Sequence, residues 1–155
     1  MMLSTDRVFV DTGAFIAMAA PNDDNHDRAQ AVFTDLLQSG AVLFTTNHIV
    51  DEVCTWMLRD RGLGHRGAIR FGRQVLDTSA PCTVADLPAR DGGRSLVLIY
   101  STPRVERLAW DVLAQYDTAG FTFTDCTSFA VMRILSISRA FTFDSHFDIM
   151  GFQRL

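Results

Sequence analysis

Short apolar runs alternate with helix-spaced apolar positions along the whole chain. Val8, Phe9 and Val10 form a first β run that stops abruptly on Asp11, and Phe15 to Ala20 then reads as helix. Asp23, Asp24, Asn25 and Asp27 open a further helix with Ala29, Val32, Phe33, Leu36 and Leu37 on one face. That is the i, i+3, i+4 spacing of an amphipathic helix, and acids in a first turn offset the helix dipole. Ser39-Gly40 stops it, and Ala41 to Thr45 reads as a second strand. Thr46 and Asn47 can cap a helix carrying Ile49, Val53 and Met57, which Gly62 and Gly64 break. A helix from about His65 to Leu76 follows, with Ile69, Gly72, Val75 and Leu76 on one side.

The stretch 77–94, with Pro81, Pro88, Gly92 and Gly93, is the least regular and reads as a long connection with a short strand near Cys82 to Val84. Leu96 to Tyr100 is continuously apolar, as expected of a strand buried on both faces. Thr102-Pro103 starts a helix in the favoured cap-then-proline order, with Val105, Leu108, Val112 and Tyr116 inward, and Gly120 ends it. Thr124-Asp125 opens another helix with Phe129, Met132 and Leu135, and a strand over Phe141 to Phe143 precedes Asp144. Strands separated by helical patterns predict an α/β fold with a parallel sheet covered on both faces. No repeat or low-complexity segment interrupts residues 1–155, so one domain is expected.

Composition narrows the class. Apolar residues make up 48% of the 155 positions, which excludes a disordered chain. No apolar run approaches the roughly 20 residues of a membrane span, and no secretion signal is evident. Three cysteines, Cys54, Cys82 and Cys126, form no C-x-x-C pair, which fits reduced thiols in the cytoplasm. All 14 basic residues are Arg, and only Glu52 and Glu106 among the 18 acids are Glu. The net charge is −4, but four acids committed to one metal would leave 14 acids against 14 Arg. An acidic sum therefore does not exclude a metal-dependent nuclease.

Chemistry points to the strand ends. Ligands of open parallel sheets bind outside the carboxyl ends of the strands. Asp11 and Asp144 stand there, Glu52 lies one to two turns into the helix after the second strand, and Asp125 lies in the first turn of its helix. Four converging carboxylates repel one another and raise their own pKa values. A hard cation with oxygen ligands, Mg²⁺ or Mn²⁺, relieves that repulsion, and the chemistry it implies is hydrolysis of a phosphate ester by metal-activated water.

These residues stand in motifs of a known family. Phe9-Val10-Asp11-Thr12-Gly13-Ala14-Phe15, Thr45-Thr46-Asn47-His48-Ile49-Val50-Asp51-Glu52, Phe121 to Phe129, and Ala140-Phe141-Thr142-Phe143-Asp144-Ser145-His146-Phe147 followed by Gly151-Phe152 occur in the family's order and spacing. The chain resembles the PIN-domain nucleases, especially the VapC-like toxins of prokaryotic toxin–antitoxin pairs. The resemblance implies a three-layer α/β/α sandwich and RNA cleavage with Mg²⁺ or Mn²⁺. It also implies a homodimer and inhibition by a small antitoxin. By the same resemblance Asp11, Glu52, Asp125 and Asp144 match the acidic quartet, with Thr12 and Ser128 as supporting polar groups. Asp51 and Asp148 fall outside the quartet and read as solvated or capping residues; His146 reads as a packing or hydrogen-bonding residue beside Phe147 and not as a general base.

Arg66, Arg70 and Arg73 share one side of their helix and are candidates for guiding a phosphate backbone, against a solvated face paired with Asp60 and Asp77. The 12 Phe and 6 Met fit either an aromatic-rich core, the simpler reading, or an exposed apolar interface for the dimer. Other chemistries fit less well. Asp11-Thr12-Gly13 is also the aspartic-protease tripeptide, but that site needs two such Asp in an all-β setting. A phosphatase with a nucleophilic Asp wants a second Asp where Gly13 stands. A flavodoxin-like module leaves Glu52 and Asp125 unexplained. A catalytically silent PIN-like scaffold or RNA-binding module is the strongest rival.

Overall fold

The computed structural model describes residues 6–87 and 96–155. Its centre is a sheet of six strands in the order β3-β4-β2-β1-β5-β6, and every pairing is parallel. β1 is Arg7–Val10, β2 Val42–Thr46, β3 Ser79–Cys82, β4 Leu96–Ile99, β5 Arg139–Phe141 and β6 Gln153–Arg154. The helices are α1 Thr12–Ala19, α2 His26–Gln38, α3 Asn47–Arg59, α4 Gly64–Thr78, α5 Pro103–Gln115, α6 Phe123–Ile134 and α7 His146–Ile149.

Strand alternation builds two cores from one sheet. Val8 and Val10 of β1 face a cluster with Ala14, Ala17, Ala29 and Leu36 of α1 and α2. Phe9, between them, faces the opposite cluster with Ile49, Val53, Val105, Ala109 and Phe129 of α3, α5 and α6. The result is the expected α/β/α sandwich.

Local signals set the helix starts. The Thr46 and Thr102 hydroxyls accept the N–H groups of Ile49 and Val105 as N-caps, and Pro103 follows the second cap. α6 starts earlier than its sequence suggests. Thr122 is the cap, and Thr122 and Asp125 form a reciprocal capping box in which each side chain accepts the other's backbone N–H. Gly40 and Gly120 have φ of +70° and +75°, the left-handed conformation that ends α2 and turns the chain before α6.

Four expectations need correction. β5 lies two residues earlier than Phe141 to Phe143, because Ala140 and Phe141 pair with Phe9 and Val10, and the Asp11 N–H then bonds to the Phe141 carbonyl. The short strand is Ser79–Cys82, drawn forward by its register on Leu96–Ile99. In α4 the inward stripe is Ala68, Phe71, Gly72 and Val75, while Ile69 and Leu76 are exposed, as are Leu37 of α2 and Leu108 of α5. Every described Phe and Met is buried or half-buried, so their abundance fills the cores and marks no surface; the exposed large apolar residues are Trp, Leu, Ile and Tyr. Of the long connection, residues 77–87 complete α4, form β3 and make a turn in which the Asp86 carboxylate accepts from the Thr83 N–H and hydroxyl. Pro88, Gly92 and Gly93 lie outside the described residues.

Candidate active site

Four elements deliver the four acids to one cleft at the carboxyl edge of the sheet. Asp11 caps α1 directly after β1, Glu52 is in the second turn of α3, Asp125 is in the first turn of α6, and Asp144 follows β5. A cavity of about 460 Å³ is lined by all four together with Thr12, Gly13, Thr122, Phe143 and His146. β1 lies between β2 and β5, so the loops leaving these three neighbours open onto one place.

A dedicated donor fixes each carboxylate. Thr142 donates its hydroxyl to Asp11 Oδ2 at 2.7 Å and accepts the Asp144 N–H at 3.0 Å. Thr12 donates to Glu52 Oε2 at 2.9 Å. Asp125 Oδ2 accepts the Thr122 N–H at 2.8 Å, and Asp144 Oδ1 accepts the His146 N–H at 2.9 Å. Ser128 is buried on α6 with its hydroxyl on the Thr124 carbonyl at 2.9 Å, and it does not line the cleft.

Crowding and burial change the acidity. Asp11 is pushed up from 3.8 to about 7, chiefly because it is buried; hydrogen bonds from the Thr142 hydroxyl and the Thr12 backbone N–H oppose the rise, and Asp125 and Asp144 add repulsion. Burial also raises Glu52, against the Thr12 hydrogen bond, with smaller repulsion from Asp125, Asp51 and Asp144.

His146 both packs and faces two of the acids. Its ring packs edge-on against Phe121 at 5.1 Å, and its Nδ1 is 3.4 Å from Asp125 Oδ2 and 3.3 Å from Asp144 Oδ2. That nitrogen is enclosed, yet it makes no hydrogen bond to any described residue. One ligand atom from each of Asp125, Asp144 and His146 falls within 4.8 Å of the others. Ligands about 2.1 Å from an octahedral cation are themselves roughly 3 to 4 Å apart. These three residues would hold a single ion. Carboxylate oxygens dominate the donor set, which suits a hard divalent cation.

The cleft brings together the four acids and Thr12 that the sequence motifs single out. The motifs assign no role to Thr142 or Thr122. A threonine between Phe141 and Phe143 at a strand's carboxyl end was the available signal for Thr142.

Arg66, Arg70 and Arg73 lie together along a shallow exposed groove of α4 with Ile69, Gln74, Asp77 and Thr78. Among the described residues none of the three is ion-paired, and the Asp60 carboxylate instead accepts the N–H groups of Gly62 and Leu63. Asp51 is exposed, and Asp148 pairs with Arg154 outside the cleft.

The fold and the cleft define a parallel α/β/α sandwich with an acidic, cation-accepting site at its carboxyl edge. The chain belongs to the PIN domain family, whose model matches residues 8–153. It is 31% identical over 145 residues to the 23S rRNA-specific endonuclease VapC20 of Mycobacterium tuberculosis, covering 94% of this chain and 95% of that protein. The crystal structure of M. tuberculosis VapC20, described as a sarcin-ricin loop cleaving toxin, superposes with a TM-score of 0.74 at 30% identity, over 94% of this chain and 95% of that one. The structure of VapBC2 from Rickettsia felis, bound to a promoter DNA fragment, matches at a TM-score of 0.64 with 7% identity, over 96% and 97% of the two chains. That likeness is one of fold.

Proposed function

We propose that the chain is an endoribonuclease toxin of a toxin–antitoxin pair, which hydrolyses RNA phosphodiester bonds at the acidic quartet with Mg²⁺ or Mn²⁺. The observation that carries this reading is the convergence of Asp11, Glu52, Asp125 and Asp144, from four separate elements, on one cleft. Nothing in the packing of the two cores requires four carboxylates at that point. When bound, a divalent cation there lowers the pKa of an attacking water and neutralises charge that develops on the phosphate.

The chain's own residues prepare that reaction. Thr142 holds Asp11, and Thr12 holds Glu52. The capping box fixes Asp125, and the His146 N–H fixes Asp144. His146 Nδ1 stands 3.4 Å from Asp125 and 3.3 Å from Asp144, where it would join them in holding the ion. Ser128 supports the site indirectly, by fixing the first turn of α6 through the Thr124 carbonyl. Arg66, Arg70 and Arg73, free of carboxylate partners among the described residues, guide the phosphate backbone.

Similarity to VapC20 over nearly the whole chain supports an unpaired loop of ribosomal RNA as the substrate class. The partner is a small antitoxin. We assign its seat to the apolar groove of about 450 Å³ bounded by Phe15, Met18, Phe33, Leu37, Phe71 and Val75. Phe15 is one turn from Thr12 on α1, so a segment seated there reaches the acids. The protein acts as a homodimer in the cytoplasm, where its three free cysteines stay reduced.

The test is cleavage of an RNA hairpin by purified protein. Activity should vanish in EDTA and return with Mn²⁺. Cleavage that survives chelation would overturn the metal mechanism, and no cleavage of any RNA under either condition would favour the silent scaffold.

A further inference from the structure

Trp110 is 58% exposed, although exposing an indole is costly and α5 has a buried face available. Its ring lies on Phe123 with centroids 4.5 Å apart and planes tilted by 35°. Phe123 is in turn met edge-on by His48, at 6.1 Å and 83°. His48 Nε2 stands 3.8 Å from Glu106 Oε1, and Ser101 donates its hydroxyl to the same oxygen at 3.3 Å. Three helices therefore hold one aromatic step, whose outermost ring keeps a face open to solvent.

That step adjoins the acidic cleft along two elements. His48 is four residues, about one turn, before Glu52 on α3, about 6 Å along the axis. Phe123 follows the cleft residue Thr122 and precedes Asp125 by two positions in the first turn of α6. The exposed Arg107 lies one turn before Trp110, with the exposed Arg104 beyond it. An open indole face with an exposed arginine, Arg107, one turn away on the same helix matches one nucleotide, with a base to stack and a phosphate to pair. Single-stranded RNA is commonly recognised in this way. A two-fold contact centred on Trp110 would instead crowd Arg104 and Arg107 of both copies together.

We propose that Trp110, stacked on Phe123 and braced by His48, is a base-stacking platform for the unpaired nucleotide flanking the scissile phosphate. The inference rests on the ribonuclease reading and adds to it the place where a loop base leaves its stack.

The experiment uses Trp56→Phe with Asp11→Asn, so that Trp110 is the sole indole and RNA is not cut. An RNA hairpin with an unpaired loop should quench Trp110 fluorescence saturably. Trp110→Ala should weaken hairpin affinity roughly ten-fold, Trp110→Phe should retain most of it, and fully paired RNA should bind all three alike. A hairpin with an abasic site at the stacked position should lose the same factor with Trp110 present and lose nothing further in Trp110→Ala. Equal hairpin affinity for Trp110 and Trp110→Ala overturns the platform alone. The same result with dissociation of a dimer into monomers would make this face a self-interface. A parent protein that binds no RNA overturns the ribonuclease reading and the platform together.

Discussion

Asp11→Asn should stabilise the metal-free protein strongly at alkaline pH and hardly at all in acid. Asp11 is 6% exposed, and its pKa is moved from 3.8 to about 7. The folded state thus binds this proton more tightly than the unfolded state does. The favourable contribution is complete below pH 3.8, falls as pH rises through the interval, and is gone above about 7. The shift is roughly three units, and each unit corresponds to about 1.4 kcal/mol. The penalty on ionised Asp11 at pH 8 is therefore about 4 kcal/mol, as a ceiling. Asparagine keeps the volume and an oxygen for the Thr142 hydroxyl, and it removes the charge.

In a domain of this size 1 kcal/mol moves Tm by roughly 2–4 °C, so the variant should melt on the order of 10 °C higher in EDTA at pH 8. At pH 4 the two proteins should melt nearly together. Mn²⁺ should narrow the pH 8 difference by stabilising the native protein, by about 2.7 kcal/mol at a hundred times Kd, with little effect on the variant. Calorimetry or urea denaturation at the two pH values reads all of this. A stabilisation of equal size at both, or none at pH 8, would refute the electrostatic account.

Four further outcomes follow from the same geometry. Asp125→Asn and Asp144→Asn should each abolish RNA cleavage, while Asp51→Asn and Asp148→Asn stay active in the same gel assay; a dead Asp148→Asn beside an active Asp144→Asn would reassign the fourth acid. Thr142→Val strands Asp11 Oδ2 and the Asp144 N–H together, and should lower stability by about 1–3 kcal/mol in denaturant titrations and weaken Mn²⁺ binding by calorimetry. Arg66→Gln, Arg70→Gln and Arg73→Gln combined should lower the slope of log affinity against log salt by about two for single-stranded RNA; an unchanged slope would remove α4 from the binding surface. Light scattering at micromolar concentration should give twice the 17.3 kDa chain mass, and a monomer throughout would refute the dimer alone.

The parts of the fold and site that rest on local chemistry were legible in the sequence, and those set by contacts between distant elements were not. β1 ending on Asp11, the Thr46 cap and the Thr102-Pro103 start each depend on a few adjacent residues, and each is where expected. The position of β5 depends on its register against β1, and that of β3 on its register against β4, so both were misplaced. The inward face of α4 depends on how α3 meets it; Ile69 and Leu76 satisfied the period and yet face solvent. The quartet was legible because strand ends and helix starts converge in any parallel sheet. Thr142 was not, because its partner is 131 residues away.

That distance explains how a metal-free cleft tolerates its charge. Thr12 adjoins Asp11 in sequence but serves Glu52, 40 residues on. Thr142 is two residues from Asp144 but serves Asp11, while accepting the Asp144 N–H. Each hydroxyl therefore ties the acid of one element to the backbone of another: Thr12 joins the start of α1 to α3, and Thr142 joins the end of β5 to the end of β1. Separation within either pair would leave a carboxylate without its donor. Burial of Asp11 makes ionisation costly, and the threonine contacts make departure costly as well. A divalent cation relieves the first without disturbing the second, since each hydroxyl occupies only one oxygen of its carboxylate. The carboxylates are thus held in place by the protein's own hydroxyls and backbone N–H groups.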